Sequence, residues 1–523
     1  MSATSPAAVP ASMSRKASPF LSGTAIVLYL AVARIVLYCL AATHYGYFRD
    51  ELYYLACGEH PAWGYVDQPP LIAWIARLLQ HTIGTSLWAL HLLPALADAA
   101  TILGAGLFAR QLGGRRWAMF LAALAVFMAP VLLALSHLFT MNAFDPLLWL
   151  AIAWLVVRIA QTGREPLWLA VGAIAGITML NKYGVVFWLS GLVVGICLTP
   201  LRQSLRHRWF WLGCVLAAVM VLPNVLWQAQ HNFPFLQLMH NIRQGGRDIS
   251  LPPLPFLFAQ AQMLAFAAAL LVPFALLFSC SKQGRPFRAL AWAYLVFLAE
   301  LMVLHGKMYY LAPVYPILFA AGAVGVETTT ARKALVWVKP VLALAIAVVG
   351  GIYTPTVLPI LSVPTFLAYE HAMGIEQQKF EHTQQGVLPQ IYADMFGWEE
   401  IAQRVAVYYH TLSPEEQRKT AIFANNYGDA GAIDFFGPKD GLPKAIGNHQ
   451  NYWIWGPRDY TGESVIILGA GNERDIEAGC TSYSIIGNTK DPLSRPDEWL
   501  PIYHCRGLKT NLQQLWPQLK HWS

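Results

Sequence analysis

The chain has 523 residues, 56% of them hydrophobic and only 12% charged, where soluble domains carry roughly 25% charged residues. That composition excludes a soluble globular protein and predicts a polytopic membrane protein. The formal net charge of +7 does not imply nucleic acid, because the basic residues come in twos and threes between apolar runs, a pattern that reports topology.

Residues 1–20 are small and polar, with Arg15 and Lys16 near their end, and read as a flexible cytoplasmic N-terminus. An apolar run of about 20 residues follows from Leu21, enough to span a bilayer. No small-x-small site closes it, so it reads as a retained first span rather than a cleaved signal peptide. Residues 44–87 then form a loop rich in acids, aromatics and prolines, with Asp50 and Glu51 where the first span ends and Asp67-Gln68-Pro69-Pro70 ahead of a new helix. Adjacent helical positions point about 100° apart, so only one of Asp50 and Glu51 readily aims into a site. The helix from Leu71 to Gln80 carries apolar Leu71, Ile72, Trp74, Ile75, Leu78 and Leu79 and is expected to lie along the interface.

Further apolar segments fall at 91–109, 118–135, 146–157, 167–180, 184–198, 209–227, 256–278, 289–304, 311–326 and 335–352, about eleven spans with the first. Several are shorter than the ~20 residues of a perpendicular helix, and the fourth to sixth are expected to break or re-enter. Arg15-Lys16, Arg110 with Arg115-Arg116, Arg158 with Arg164, Arg202 with Arg206 and Arg208, Lys282 with Arg285 and Arg288, and Arg332-Lys333 occupy alternate loops. The positive-inside rule assigns that side to the cytoplasm. The loop at 44–87, the 231–255 segment, His305 to Tyr310 and everything after 353 then share the opposite side.

From 354 to 523 the apolar runs shorten, and the pattern becomes that of a soluble α/β domain large enough to fold alone. Helices are expected at 397–412, from Ser413 onward and at 508–519, and strands at 420–424, 452–455, 464–468 and 483–486. Of seven cysteines none forms a CxxC pair, which argues against structural zinc. Cys480 and Cys505 share the tail and would pair in an oxidising compartment. Asn425 to Gly431, NNYGDAG, is a glycine-rich strand-to-helix turn without GxGxxG or a P-loop lysine, and reads as an αβ turn near the acceptor side.

Taken as residues, the acids and non-cytoplasmic cations each have a structural reading as well as a chemical one. Asp50 is a helix-end acid or a general base. Asp67 is a cap of the Pro-Pro helix or a ligand-binding acid, and Asp145 precedes Pro146 as an N-cap or as a cavity acid. Lys182, Arg243, Arg247 and Lys307 are snorkelling cations or counter-charges for a phosphate leaving group. Arg34 could pair with either Asp98 or Glu300.

The aspartate-glutamate pair after the first span, the Tyr-rich segment and the acid before Pro-Pro-Leu resemble the family 39-like glycosyltransferases of the GT-C fold. These take sugars from polyprenyl phosphates and include protein O-mannosyltransferases and lipid A aminoarabinose and galacturonosyl transferases. The resemblance implies a mainly α GT-C membrane domain at 21–353, an extracytoplasmic α/β domain at 354–523, and inverting transfer of a sugar to a hydroxyl of a lipid, glycan or protein at the outer face of a bacterial inner membrane. It implies a catalytic set of Asp50, Glu51 and Asp145, with Asp50 as base, Glu51 supporting the loop or pairing with a basic residue, and Asp145 facing the cavity. Asp67, Gln68, Lys182, Lys307, Tyr309, Arg243 and Arg247 would bind the donor. Relatives often carry a lysine at the place of Gln68, a departure that removes a cation. No cofactor is required by the pattern; a divalent metal would use Asp67 and His305. A secondary transporter with an extracytoplasmic domain is the rival reading, though no inverted repeat supports it.

Overall fold

The computed structural model describes residues 22–375, 381, 382 and 384–522, with the side chain of Lys333 also left out. The stretch at 1–20, Arg15 and Lys16 included, lies outside the described residues. Among the described residues seven helices are long and apolar enough to cross a membrane: Gly23–Ala41, Leu87–Gln111, Met141–Thr162, Arg208–Gln230, Arg285–Val303, Met308–Thr329 and Val338–Val357. Three bent pairs bring the number to as many as ten. The remaining expected segment, the fifth, is helix Leu167–Asn181, whose 15 residues fall short of a perpendicular crossing.

The breaks do not fall where the segment lengths placed them. The sixth segment does bend, by 101° between Val185–Cys197 and Pro200–Arg206, but the fourth runs unbroken within Met141–Thr162. The third bends by 61° between Arg116–Met128 and Pro130–Ser136. Its cause is local: Ala129 is extended, at ψ 115°, as the residue before a proline prefers, and Pro130 has no N–H with which to continue the helix. The eighth bends by 114° between Pro253–Met263 and Ala268–Cys280, where Ala265 and Phe266 take left-handed φ of 50° and 52°.

Hydrogen bonds sort the loops into two ends. At one, Gln111 donates to Gln161, Gln283 to the Leu112 carbonyl, the Arg115 N–H to Glu327 and Ser204 to Glu165. These are the arginine- and lysine-bearing loops, gathered on one face of the bundle. At the other end, Asn181 donates to the Met141 carbonyl, Tyr183 to Asn224 and Asn224 to the Trp63 carbonyl. Within the bundle, Arg34 pairs with Asp98 at 3.2 Å, both reached by the Tyr38 hydroxyl, while Glu300 takes the Ser190 hydroxyl. The choice left open for Arg34 is thus decided by which helices adjoin.

The tail folds around a five-stranded mixed sheet of β1 (Thr420–Ala424), β2 (Ile446–Gly447), β3 (Ser464–Leu468), β4 (Cys480–Asn488) and β5 (Pro501–Leu508), in the order β2-β1-β3-β5-β4. β1 runs parallel to β2 and β3, and β5 runs antiparallel to β3 and β4. Helix Trp398–Tyr409 and the Ser413 cap, whose hydroxyl accepts from the Glu416 N–H, form as expected. Residues 452–455 do not form a strand but the short helix Asn451–Trp455, which turns Tyr452 inward to donate to Asp434 and to pack in the core shared with the first loop. Likewise 508–519 is the end of β5 followed by a short helix and a 3₁₀ turn, not one closing helix.

The tail shares its core with the first loop. Leu52, Tyr53, Ile72 and Leu79 pack with Trp398, Ile401, Val405 and Ile433 in one apolar cluster. Two glycines of the NNYGDAG turn make the approach close: a Cβ on Gly428 would lie 2.7 Å from the Arg49 side chain, and one on Gly431 would lie 3.0 Å from Leu52. Helix Arg49–Glu59 is therefore clamped between the bundle and the helix Tyr427–Phe436.

Cys480 and Cys505 form a disulfide between β4 and β5, 25 residues apart in sequence. Cross-links closing loops of this length contribute about 3 kcal/mol. Cys480→Ser is expected to lower the melting temperature of the detergent-solubilised protein, and thiol labelling under denaturing conditions to leave both cysteines unmodified in wild type made with its export machinery. Full labelling of both would refute an oxidising compartment for the tail.

Candidate active site

The first turn of helix Arg49–Glu59 holds both acids of the pair, which complement the helix dipole there. They face apart. Glu51 is 0% exposed and bonded to His91 at 2.8 Å, to the Phe139 N–H at 2.7 Å and to the Phe48 N–H at 3.0 Å. Burial pushes its carboxyl up, but His91 and the two backbone donors outweigh that and hold it below the usual range. With three of its roughly four acceptor positions taken, Glu51 is fully buried and does not line the cavity beside Asp50; it anchors this turn.

Asp50 is 29% exposed and lines a cavity of about 270 Å³. One wall is apolar: Pro130, Val131, Ala134, Leu135, Leu138 and Val357, the first four from the helix beyond the Pro130 bend. The other is polar: Arg49, Asn142, Lys307, Tyr309, Glu381 and Asp394. The Tyr427 hydroxyl donates to Asp50 Oδ1 at 2.8 Å, and Arg49 Nε lies 3.7 Å from the same oxygen. Burial raises the Asp50 carboxyl above its ordinary value, with Arg49 and the Tyr427 hydroxyl opposing the rise.

The remaining expected residues fall into three groups. Lys307 stands at the cavity wall, 2.8 Å from Glu381 and 3.0 Å from Asp248. Arg247 lies 3.6 Å from both of those acids, and Asp248 and Glu381 are themselves joined by a β-bridge. Asp145 and Lys182 form a second group: Asp145 accepts from Asn181 at 2.8 Å, and Lys182 bonds to Asn142 and lies 4.8 Å from the centre of the Tyr310 ring. Burial pulls the Lys182 ammonium down to about 8, against the attraction of Asp145. Asp67 forms a third, accepting the Tyr53 hydroxyl at 2.8 Å, with Asn451 donating to the same hydroxyl at 2.7 Å. Burial lifts the Asp67 carboxyl to about 7, the Tyr53 bond opposing.

Of the expected residues Asp50, Lys307 and Tyr309 line the cavity, and Glu51, Asp67, Asp145, Lys182 and Arg247 do not; Gln68, Arg243 and His305 are also placed elsewhere. Gln68 is fully buried, its amide directed at Cys57 Sγ at 3.7 Å, and is not on the cavity wall. Arg243 is exposed in the last turn of helix Pro234–Gly245 and is likewise not on that wall. His305 sits exposed at a left-handed corner, φ 56°, and no group of three His, Cys, Asp or Glu side chains able to hold a metal exists among the described residues.

Tyr427, Asp394, Glu381 and Asp248 were not singled out in the sequence. All reach the site from outside the apolar segments, and for Tyr427 the one legible signal was the glycine spacing around it. Behind Asp50, Arg49 is held by Glu498 at 3.2 Å, and Arg495 binds Asp394 at 2.7 Å and also Glu498, so two arginines and two acids brace the turn.

Residues 67–227 match the family described as dolichyl-phosphate-mannose-protein mannosyltransferase. The chain is 30% identical over 213 residues to the lipid A galacturonosyltransferase RgtD of Rhizobium johnstonii, an alignment covering 40% of this chain and 44% of that relative, so less than half of the relative's length is spanned. Along nearly its whole length the chain superposes on ArnT from Cupriavidus metallidurans. The apo form gives a TM-score of 0.57 over 91% of this chain and 97% of that one, and the form bound to undecaprenyl phosphate gives 0.55 over 92% and 98%, each at 15% identity. In fold, the chain matches ArnT, a bundle of apolar helices bearing a small α/β domain, and through residues 67–227 it is similar to the dolichyl-phosphate-mannose-protein mannosyltransferases.

Proposed function

We propose that the protein is a membrane glycosyltransferase that moves a sugar from a polyprenyl phosphate to an acceptor hydroxyl, at the membrane face opposite the basic loops. The observation that carries this reading is the cavity itself. Its apolar wall accepts an isoprenoid chain, while its polar wall sets a carboxylate, Asp50, among cations. The names of the relatives agree with it: one is a galacturonosyltransferase and one structure holds undecaprenyl phosphate. By the positive-inside rule the site faces the periplasm of a bacterial inner membrane, and the disulfide in the tail agrees with an oxidising side.

In this reading the acceptor oxygen attacks the anomeric carbon as Asp50 takes its proton. The bond from that carbon to the phosphate oxygen breaks with its electron pair, leaving polyprenyl phosphate and an inverted linkage. Lys307, with Arg49 and Lys182, offsets the negative charge gathering on the phosphate. Lys307 is engaged by Glu381 and Asp248, and a phosphate would compete for it with those carboxylates. Asp145 holds the Asn181–Lys182 corner in place, and Asp67 fixes Tyr53 below the site.

Purified protein supplied with polyprenyl-phosphate sugars and membrane extract is expected to release polyprenyl phosphate, and Asp50→Asn to lose that release by roughly a hundred- to ten-thousand-fold, the usual worth of a general base. Retained turnover in folded Asp50→Asn would remove Asp50 from the chemistry, and no release by wild type from any donor would favour the transporter. Lys307→Gln is expected to raise the donor KM about tenfold, the equivalent of ~1.4 kcal/mol of binding, with Lys307→Arg falling between; an unchanged KM would place the phosphate elsewhere. Because the base works ionised and burial raises its pKa, kcat/KM should rise with pH on a limb above the ordinary aspartate value of about 3.9. A limb at or below that value would contradict the buried carboxylate.

A further inference from the structure

We infer that Tyr427, supplied by the extramembrane domain, is a positioning residue for Asp50: its hydroxyl holds one carboxylate oxygen so that the other is left to receive the acceptor's proton. This rests on the reading of Asp50 as the base. The hydroxyl donates to Asp50 Oδ1 at 2.8 Å from a residue 377 positions away in sequence, and its ring is fixed on several sides. Arg49 lies 5.2 Å from the ring centre. The Tyr53 ring is 4.8 Å away and the His449 ring 5.1 Å.

The backbone is fixed as well. The Tyr427 N–H donates to His449 Nδ1 at 3.3 Å, and Asn426 caps the helix by accepting from the Gly428 N–H at 2.7 Å. Gly428 and Gly431 admit the neighbouring helix at distances that a side chain would forbid. A tyrosine held this firmly presents its O–H in one direction, and the carboxylate it meets is oriented in turn. Such a bond to the ionised form also favours that form, so Tyr427 sets the pH at which the base becomes available as well as its direction.

The other charged and titratable groups facing Asp50 are Arg49 and Tyr54 on its own helix, Asp67 below, Asp394 and Glu381 from the segment after the last span, and Tyr309 across the cavity beside Lys307. None of these but Tyr427 donates a hydrogen bond to the Asp50 carboxylate at under 3 Å among the described residues.

The test is the pH profile of polyprenyl phosphate release by Tyr427→Phe, which removes the hydroxyl and keeps the ring against Arg49. Its acid limb is expected to move up by about one to two pH units, so that kcat on the acid side falls about ten- to a hundredfold further than on the alkaline plateau, which itself drops as the carboxylate loses its orientation, while the donor KM stays within about twofold of wild type; a hydrogen bond to a charged group carries this magnitude. Should Tyr427→Phe fail to fold, 3,5-difluorotyrosine placed at 427 keeps the shape and strengthens the donor, and must shift the limb the opposite way, downward. An unmoved limb in a folded variant, with or without a loss of rate, overturns the proposal. Asp50→Asn run alongside separates the two ideas: if it turns over normally the base assignment falls, and if it is inactive while Tyr427→Phe keeps the wild-type profile only the positioning role falls.

Discussion

Two adjacent carboxylates on the first turn of one helix have to be kept in opposite environments, and the architecture around Arg49–Glu59 follows from that. The angular offset of neighbouring helical residues sends Glu51 inward and Asp50 outward. Glu51 has its charge met by His91 and two backbone N–H groups, so it costs little to bury and fixes the rotation of the helix about its axis. Asp50 is then left at the cavity with Arg49 beside it and a single hydroxyl upon it. Breaking a buried, satisfied carboxylate is expensive, which makes Glu51 the anchor of the turn and leaves Asp50 at the cavity.

Holding that helix takes both parts of the chain. The bundle supplies the loop ends that bind Glu51, and the tail supplies Tyr427, Glu498 and Asp394, which grip Arg49 and Asp50 from the other side, with Arg495 holding Asp394 and Glu498. The shared apolar cluster of Leu52, Tyr53, Ile433 and Trp398 makes the junction a continuous core, and the two close-approach glycines let the charged groups come within bonding distance. The tail belongs to the site as much as to itself, despite a composition that reads as an independent soluble domain.

The cavity owes its shape to a broken helix. The bend of 61° at Ala129–Pro130 redirects the segment Pro130–Ser136, whose apolar side chains line the same cavity as Lys307 and Glu381. An unbroken third span would carry those residues elsewhere. The ionic cluster of Lys307, Asp248, Glu381 and Arg247 ties the loop before the Pro253 helix to the segment after the last span, and so encloses the site on its third side.

Much of this was determined by the order of the residues alone. Runs of apolar side chains dictate membrane helices because unpaired backbone groups are intolerable in lipid, and the alternation of basic loops already divided the connections into the two ends that the hydrogen bonds later separated. The Asp50–Glu51 pair, the turn before Pro69-Pro70, Lys182 and Lys307 were legible because charge beside long apolar runs is costly and rarely idle. The positions of helix breaks were not, since segment length is a poor guide to where a proline or a left-handed corner interrupts the ladder. Nor could any local pattern say which of Asp50 and Glu51 faces the cavity, that Gln68 is buried, that Arg34 chooses Asp98, or that Tyr427 lands on Asp50. Those are contacts between residues tens to hundreds of positions apart, and only the packing of the tail against the first loop decided them, because a side chain's partner is set by which surfaces fit together and not by its neighbours along the chain.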